Sequence, residues 1–265
     1  MRLPANDQSP KQHQQNNPIH RQVRLQFLLE HGIMTKPMKN FFKADASYSE
    51  SLQSFTVQDS FIAIAYYVFN LVLLYIAGII FVKFHIYIGL PCNFLLILIP
   101  VIICRQSLSS IGITKRNLKP SIIVSCILGL LLLMLYAVVP GVINHNQWLP
   151  IQTIAYNIFY FFIIIAFTEE LGFRGFIQPR LTPLFKSEWL TIVIVGVLFV
   201  FMHYPFQMAR HNKSFVEYWP QFIAAAPLQF MWHFVFTWLY RRYGNIFGST
   251  ILHGFLDLTT GLFVG

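Results

Sequence analysis

Six side chains in the second half of the chain have types and spacings suited to hydrolysis. Glu169 and Glu170 are adjacent, and Arg174 follows them in "FFIIIAFTEELGFRGFIQ". His203 closes the run "LFVFMH", with Phe199 one helical turn before it. His253 and Asp257 stand four apart in "STILHGFLDL". A carboxylate can take a proton from water, and a histidine can orient that water. A second histidine with a polar partner can stabilise an oxyanion. Helical spacing sorts them further. Glu170 and Arg174 are i,i+4 neighbours and can pair. Glu169 lies about 100° around a helix from Glu170, so it points elsewhere and stays available. His253 and Asp257 project from one face.

Each group also has a structural reading. A lone membrane histidine is often an interhelical hydrogen bond, Glu170–Arg174 can be a plain ion pair, and Asp257 can merely hold His253. Taken singly, structure is favoured. Taken together the balance reverses, because three separate apolar segments each bring ionisable groups where each charge is costly unless paired or working. Glu169, His203 and His253 would also make a two-histidine, one-carboxylate zinc site with an open position. Spacing leaves a metal-held and a metal-free water both open. HExxH and GxSxG are absent, and no serine–histidine pattern stands in for them. Cys92, Cys104 and Cys126 form no CxxC and read as small buried hydrophobes. Arg210, His211, Lys213 and Glu217 read as a solvated loop.

These side chains need elements to carry them. The chain has 265 residues, 55% hydrophobic and only 11% charged, against about 25% charged in soluble proteins. The expected class is all-α, a polytopic membrane helix bundle of about seven spans. Apolar segments at 60–82, 86–104, 121–139, 153–178, 189–203, 221–240 and 246–263 are each close to the length that crosses a bilayer. The fifth is short, and polar groups interrupt the seventh. Residues 1–58 are expected to be a polar, disordered tail, rich in Gln, Asn and Pro at "NDQSPKQHQQNNP". Within it, "HRQVRLQFLLEHGI" is a short amphipathic stretch that can lie on a membrane surface. The bundle would occupy 59–265, with the hydrolytic core in about 120–265.

The net charge of +9 serves topology and anionic headgroups rather than nucleic acid, for no basic recognition module is visible. Lys and Arg crowd the tail and the loops after the second, fourth and sixth spans, which predicts a cytoplasmic N-terminus. Arg210 and Lys213 fall on the other side. Glu169 lies late in the fourth span and His203 at the end of the fifth, so the two meet only if the fourth helix runs on to about Gln178. That arrangement puts the site toward the cytoplasmic half, open to a cytoplasmic protein tail.

"EELGFR" resembles the EExxxR motif of the CPBP family of intramembrane proteases. That family includes the type II CAAX prenyl endopeptidases (Rce1-like) and the bacterial Abi, or bacteriocin-immunity, proteins. "FVFMH" is similar to its FxxxH motif, and "HGFLD" to its HxxxN or HxxxD motif. The order and separations agree, over about 160–260. The resemblance implies that Glu169 activates water with help from His203, and that His253 and Asp257 line the oxyanion side. Glu170, Arg174 and Phe199 would shape the site. The cofactor would be none, or one divalent metal such as zinc on Glu169, His203 and His253. Many relatives carry asparagine where this chain has Asp257. Asparagine can donate to an oxyanion and ionised aspartate cannot, so Asp257 is either protonated or accepts from His253. The activity implied is endopeptidase cleavage of a membrane-associated or lipidated protein or peptide, in a bacterial plasma membrane. The alternative is a non-catalytic bacteriocin-immunity or scaffold protein. A transporter fits less well, since no paired interrupted helices repeat in two halves.

Overall fold

The structure, a computed structural model, describes residues 43–86 and 88–264. Among these residues the chain is helical, apart from turns and one isolated antiparallel bridge between Trp148 and Phe263. The helices are α1 Ala46–Gln53, α2 Val57–Phe84, α3 Gly89–Ile103, α4 Leu118–Ile143, α5 Ile151–Phe185, α6 Glu188–Arg210, α7 Phe215–Tyr243 and α8 Phe247–Leu258.

Local sequence explains where the long helices begin and end. Thr56 and Asp59 close a capping box on α2, and Ser214 and Glu217 do the same for α7. Ser187 caps α6. Gly244, at φ 67°, ends α7 in the left-handed conformation that glycine adopts without strain.

Five helices, α2 and α4 to α7, are long and apolar enough to cross a membrane. Seven spans were expected. The second and seventh apolar runs form only α3, of 15 residues, and α8, of 12 residues. At about 1.5 Å per residue these reach roughly 22 and 18 Å, short of a core about 30 Å thick. The hydropathy of the flanking turns had extended both runs. The fifth run behaves in the opposite way. Pro205 does not end it, and α6 continues through to Arg210. Proline costs one backbone hydrogen bond, a loss tolerated where a packed membrane helix has neighbours.

The tail expected over 1–58 also ends earlier. Asp45 caps α1 through Ser47, and Tyr48 is buried against Tyr240 at 5.3 Å. Residues 44–58 therefore belong with the bundle. The rest of the expected tail, including the amphipathic stretch, lies outside the described residues.

Antiparallel packing gives the bundle two ends. At the basic end Gln106 donates to Asp59 at 3.0 Å, Arg180 pairs with Gln106, Arg241 with Glu188 at 2.6 Å, and Arg116 with Asp45 at 3.2 Å. At the far end Arg210 lies over the Phe81 ring, and the residues after α8 bond back to the start of α5, Leu149 N–H to Leu262 O at 2.9 Å. Between them Ile97, Leu171, Phe173, Phe176, Val195 and Phe199 form a buried core. Outward faces stay apolar, as at Phe69, Ile102 and Leu135, which is the surface a bilayer accepts.

Candidate active site

α5 carries the acidic residues, and it is not a uniform α-helix. Two widened π-helical segments, Tyr160–Ala166 and Leu171–Ile177, bracket a single α turn, Phe167–Glu170. Thr168 assists by bonding back to the carbonyls of Ile164 and Ile165, a competition that loosens helical turns. Widened turns of this kind recur at functional sites. Here they set both glutamates on the one regular turn, facing α6 and α8.

Glu170 and Arg174 are fully buried and pair at 3.0 Å, as the i,i+4 spacing predicts. The same Glu170 Oε1 accepts from His253 Nδ1 at 2.9 Å. Arg174 is held further by a residue that sequence reasoning passed over. Its Nη2 donates to His233 Nδ1 at 3.1 Å. Arginine has no acceptor, so His233 must carry its proton on Nε2, which donates to Ile192 O at 3.0 Å. The guanidinium lies 4.4 Å from the Phe199 ring and 5.2 Å from Phe236, favourable cation–π geometry. The available signal for His233 was a histidine inside the apolar run "QFMWHFVF". Gly196 makes room for it, since a Cβ there would lie 2.9 Å from His233 Cδ2.

Glu169 is 7% exposed and faces the other way. Its Oε2 is 3.9 Å from His203 Nε2 and 3.9 Å from His253 Nε2. It has no hydrogen-bond partner among the described residues, and neither has Asp257 Oδ2. Asp257 Oδ2 lies 3.6 Å from His253 Nε2. His203 Nδ1 donates to Phe199 O at 2.9 Å, which turns Nε2 toward Glu169. The His253 ring stacks on Phe236 at 4.6 Å. Phe199 stands edge-on to His203 at 5.1 Å and to His253 at 6.3 Å, so it packs against both rings as well as the arginine.

All seven residues singled out in the sequence thus converge: Glu169, Glu170, Arg174, Phe199, His203, His253 and Asp257. Glu169, His203, His253 and Asp257 line a cavity of about 290 Å³ with Tyr160, Gln207 and Arg210. That cavity reaches Arg210 at the far end of the bundle. α6, expected to end at His203, carries the cavity wall seven residues further. Arg210, assigned to a solvated loop, ends α6 and lines this cavity.

The zinc arrangement considered for Glu169, His203 and His253 does not fit. Among the described residues no group of three His, Cys, Asp or Glu side chains is arranged to hold a metal ion.

Residues 151–259 match the family model described as type II CAAX prenyl endopeptidase Rce1-like. That stretch is similar to the family's domain. It begins with α5 and ends just after α8, so it takes in every side chain of the cluster. A search of curated proteins found no match, and a search of solved structures found none.

Proposed function

We propose that the chain is an intramembrane endopeptidase in which Glu169 activates water against a peptide bond. One observation carries the reading: a buried carboxylate oxygen stands equidistant, at 3.9 Å, from two imidazole nitrogens in a cavity within the bundle. That separation is too long for direct hydrogen bonds. It is the span that one water bridges from about 2.8 Å on each side.

The roles follow from the tautomers. His203 donates from Nδ1 to Phe199 O, so its neutral Nε2 accepts a hydrogen bond from the water. Glu169 takes one proton from that water, and the hydroxide oxygen bonds to the scissile carbonyl carbon. The carbonyl π electrons move onto oxygen. His253, with a proton on each ring nitrogen, gives Nδ1–H to Glu170 and offers Nε2–H to the oxyanion. Asp257, with Oδ2 3.6 Å from His253 Nε2, supports the imidazolium by its charge, which leaves donation to the histidine. When the tetrahedral species collapses the carbon–nitrogen bond breaks, and Glu169 returns its proton to the departing nitrogen. The products are a carboxylic acid and an amine, with one water consumed.

The substrate class is a membrane-associated or lipidated protein or peptide. The test uses purified protein in lipid and a fluorogenic membrane-peptide library, with Glu169→Ala and a chelator lane alongside. Cleavage by the native chain that persists with chelator and vanishes in Glu169→Ala supports the reading. Cleavage that survives in folded Glu169→Ala overturns it, and a native chain that cleaves nothing returns weight to the immunity or scaffold alternative.

A further inference from the structure

The candidate site continues sideways. A second cavity of about 290 Å³ lies between α6 and α7, lined by His203, Gln207, Tyr218, Phe222, Ala225 and Gln229. It shares His203 and Gln207 with the cavity around Glu169. A third, of about 310 Å³, shares Phe222 and is wholly apolar, with Phe201, Trp219 and Phe230 among its walls. The three hollows therefore adjoin one another, the first two through His203 and Gln207 and the last two through Phe222.

Gln229 says what the middle hollow takes. It is the central residue of the 29-residue α7, roughly 21 Å along the axis from either end. Its Oε1 is buried and has no hydrogen-bond partner among the described residues. A buried amide oxygen without a donor at that depth is costly. Tyr218, Phe222, Ala225 and Gln229 follow i, i+4, i+7, i+11 spacing, one stripe of α7 facing α6, and Ala225 leaves the stripe room.

We propose that this seam docks the substrate chain in an extended form, with Gln229 and Gln207 reading its backbone. This rests on the proteolytic reading above. A side-chain amide both donates and accepts, which complements the N–H and C=O of a peptide unit. A lipid tail would leave both glutamines unpaired. The occupant is thus a peptide segment, and the apolar hollow beside Phe222 takes one of its bulky apolar side chains.

The test reads binding without turnover. In nanodisc-held protein carrying Glu169→Gln, p-azidophenylalanine replaces Tyr218 at the seam or, as a control, the outward-facing Tyr136. The probe is a biotinylated membrane-peptide library. Photolabelling of the chain by the probe should be about tenfold greater from the seam than from the control. Adding Gln229→Leu should lower it about tenfold, the scale of one lost hydrogen bond. Equal labelling at both positions, labelling of lipid or of a second copy instead of peptide, or labelling indifferent to Gln229→Leu overturns the proposal. Because no cleavage is read, the seam can fail while proteolysis stands, and the reverse. Thermal unfolding adds an independent check. Gln229→Leu should hold or raise the unfolding temperature, since it removes an unpaired polar group. A fall of several degrees would make Gln229 a structural residue and also overturn the proposal.

Discussion

Glu169 and Glu170 share a peptide bond and belong to different regions of the site. Around Glu170, ligation is dense: Arg174 at 3.0 Å, His253 at 2.9 Å, and His233 and two aromatic faces closing on the arginine. Around Glu169, the same types of group stop at 3.9 Å and face a cavity. The difference teaches how a low-dielectric interior holds several charges and still keeps one carboxylate oxygen free of a direct hydrogen bond. One carboxylate is consumed in fixing the scaffold, and its neighbour is left without a partner on a rigid turn. The π segments on either side make this possible by holding the turn Phe167–Glu170 between them.

The comparison breaks most visibly on the clamped side, where both bonds to Glu170 fall on Oε1 and Oε2 has no hydrogen-bond partner among the described residues. Arg174→Leu strands Glu170 and His233 in the interior, and removing one member of a buried pair costs about 3–5 kcal/mol. Thermal unfolding in detergent should show that loss, and an unchanged midpoint would mean the clamp carries no stability. On the open side the expected effect is on rate. His203→Ala removes the group that orients water, so kcat should fall about a hundredfold with little change in unfolding temperature. A stability loss matching Arg174→Leu would erase the contrast between the two regions.

The smallest effect sharpens the contrast from outside the membrane. Asp45 caps α1 at the basic end. Burial alone would raise its pKa, but hydrogen bonds from Ser47 and Asn117, with Arg116 nearby, outweigh burial and hold it below the ordinary carboxylate range. A depressed folded pKa gives stability that is present at neutral pH and lost as pH falls through that lowered value. Docking of α1 should therefore weaken only in strong acid, read by amide exchange over 46–53. Asp45→Asn should remove that acid step.

The residues of the site were legible because their spacing is local. The four-residue separations at 170–174 and 253–257 needed only helical geometry, and both pairs are found. Their convergence from three helices was implied by the cost of burying charge. What escaped depends on partners distant in sequence. His233 gains its role only because Gly196 lets α7 approach α6, and Gln229 matters only because α6 continues past Pro205. Local hydropathy also misjudged lengths. It extended α3 and α8 through flanking turns, and it read the residues of α1 as polar tail when Tyr48, with Asp45 held by Arg116 and Asn117, anchors them. No periodicity could announce the π segments, since a run such as "YFFIIIA" is apolar on nearly every face and has no stripe to shift.

The most direct measurement sets the two adjacent glutamates against each other in one experiment. Glu169→Gln and Glu170→Gln proteins, reconstituted in lipid, are assayed for cleavage of the membrane-peptide library and for thermal unfolding. The account predicts that Glu169→Gln loses cleavage by about a hundredfold or more with its unfolding temperature kept. Glu170→Gln should lose stability first. Cleavage retained by a folded Glu169→Gln protein would contradict the account.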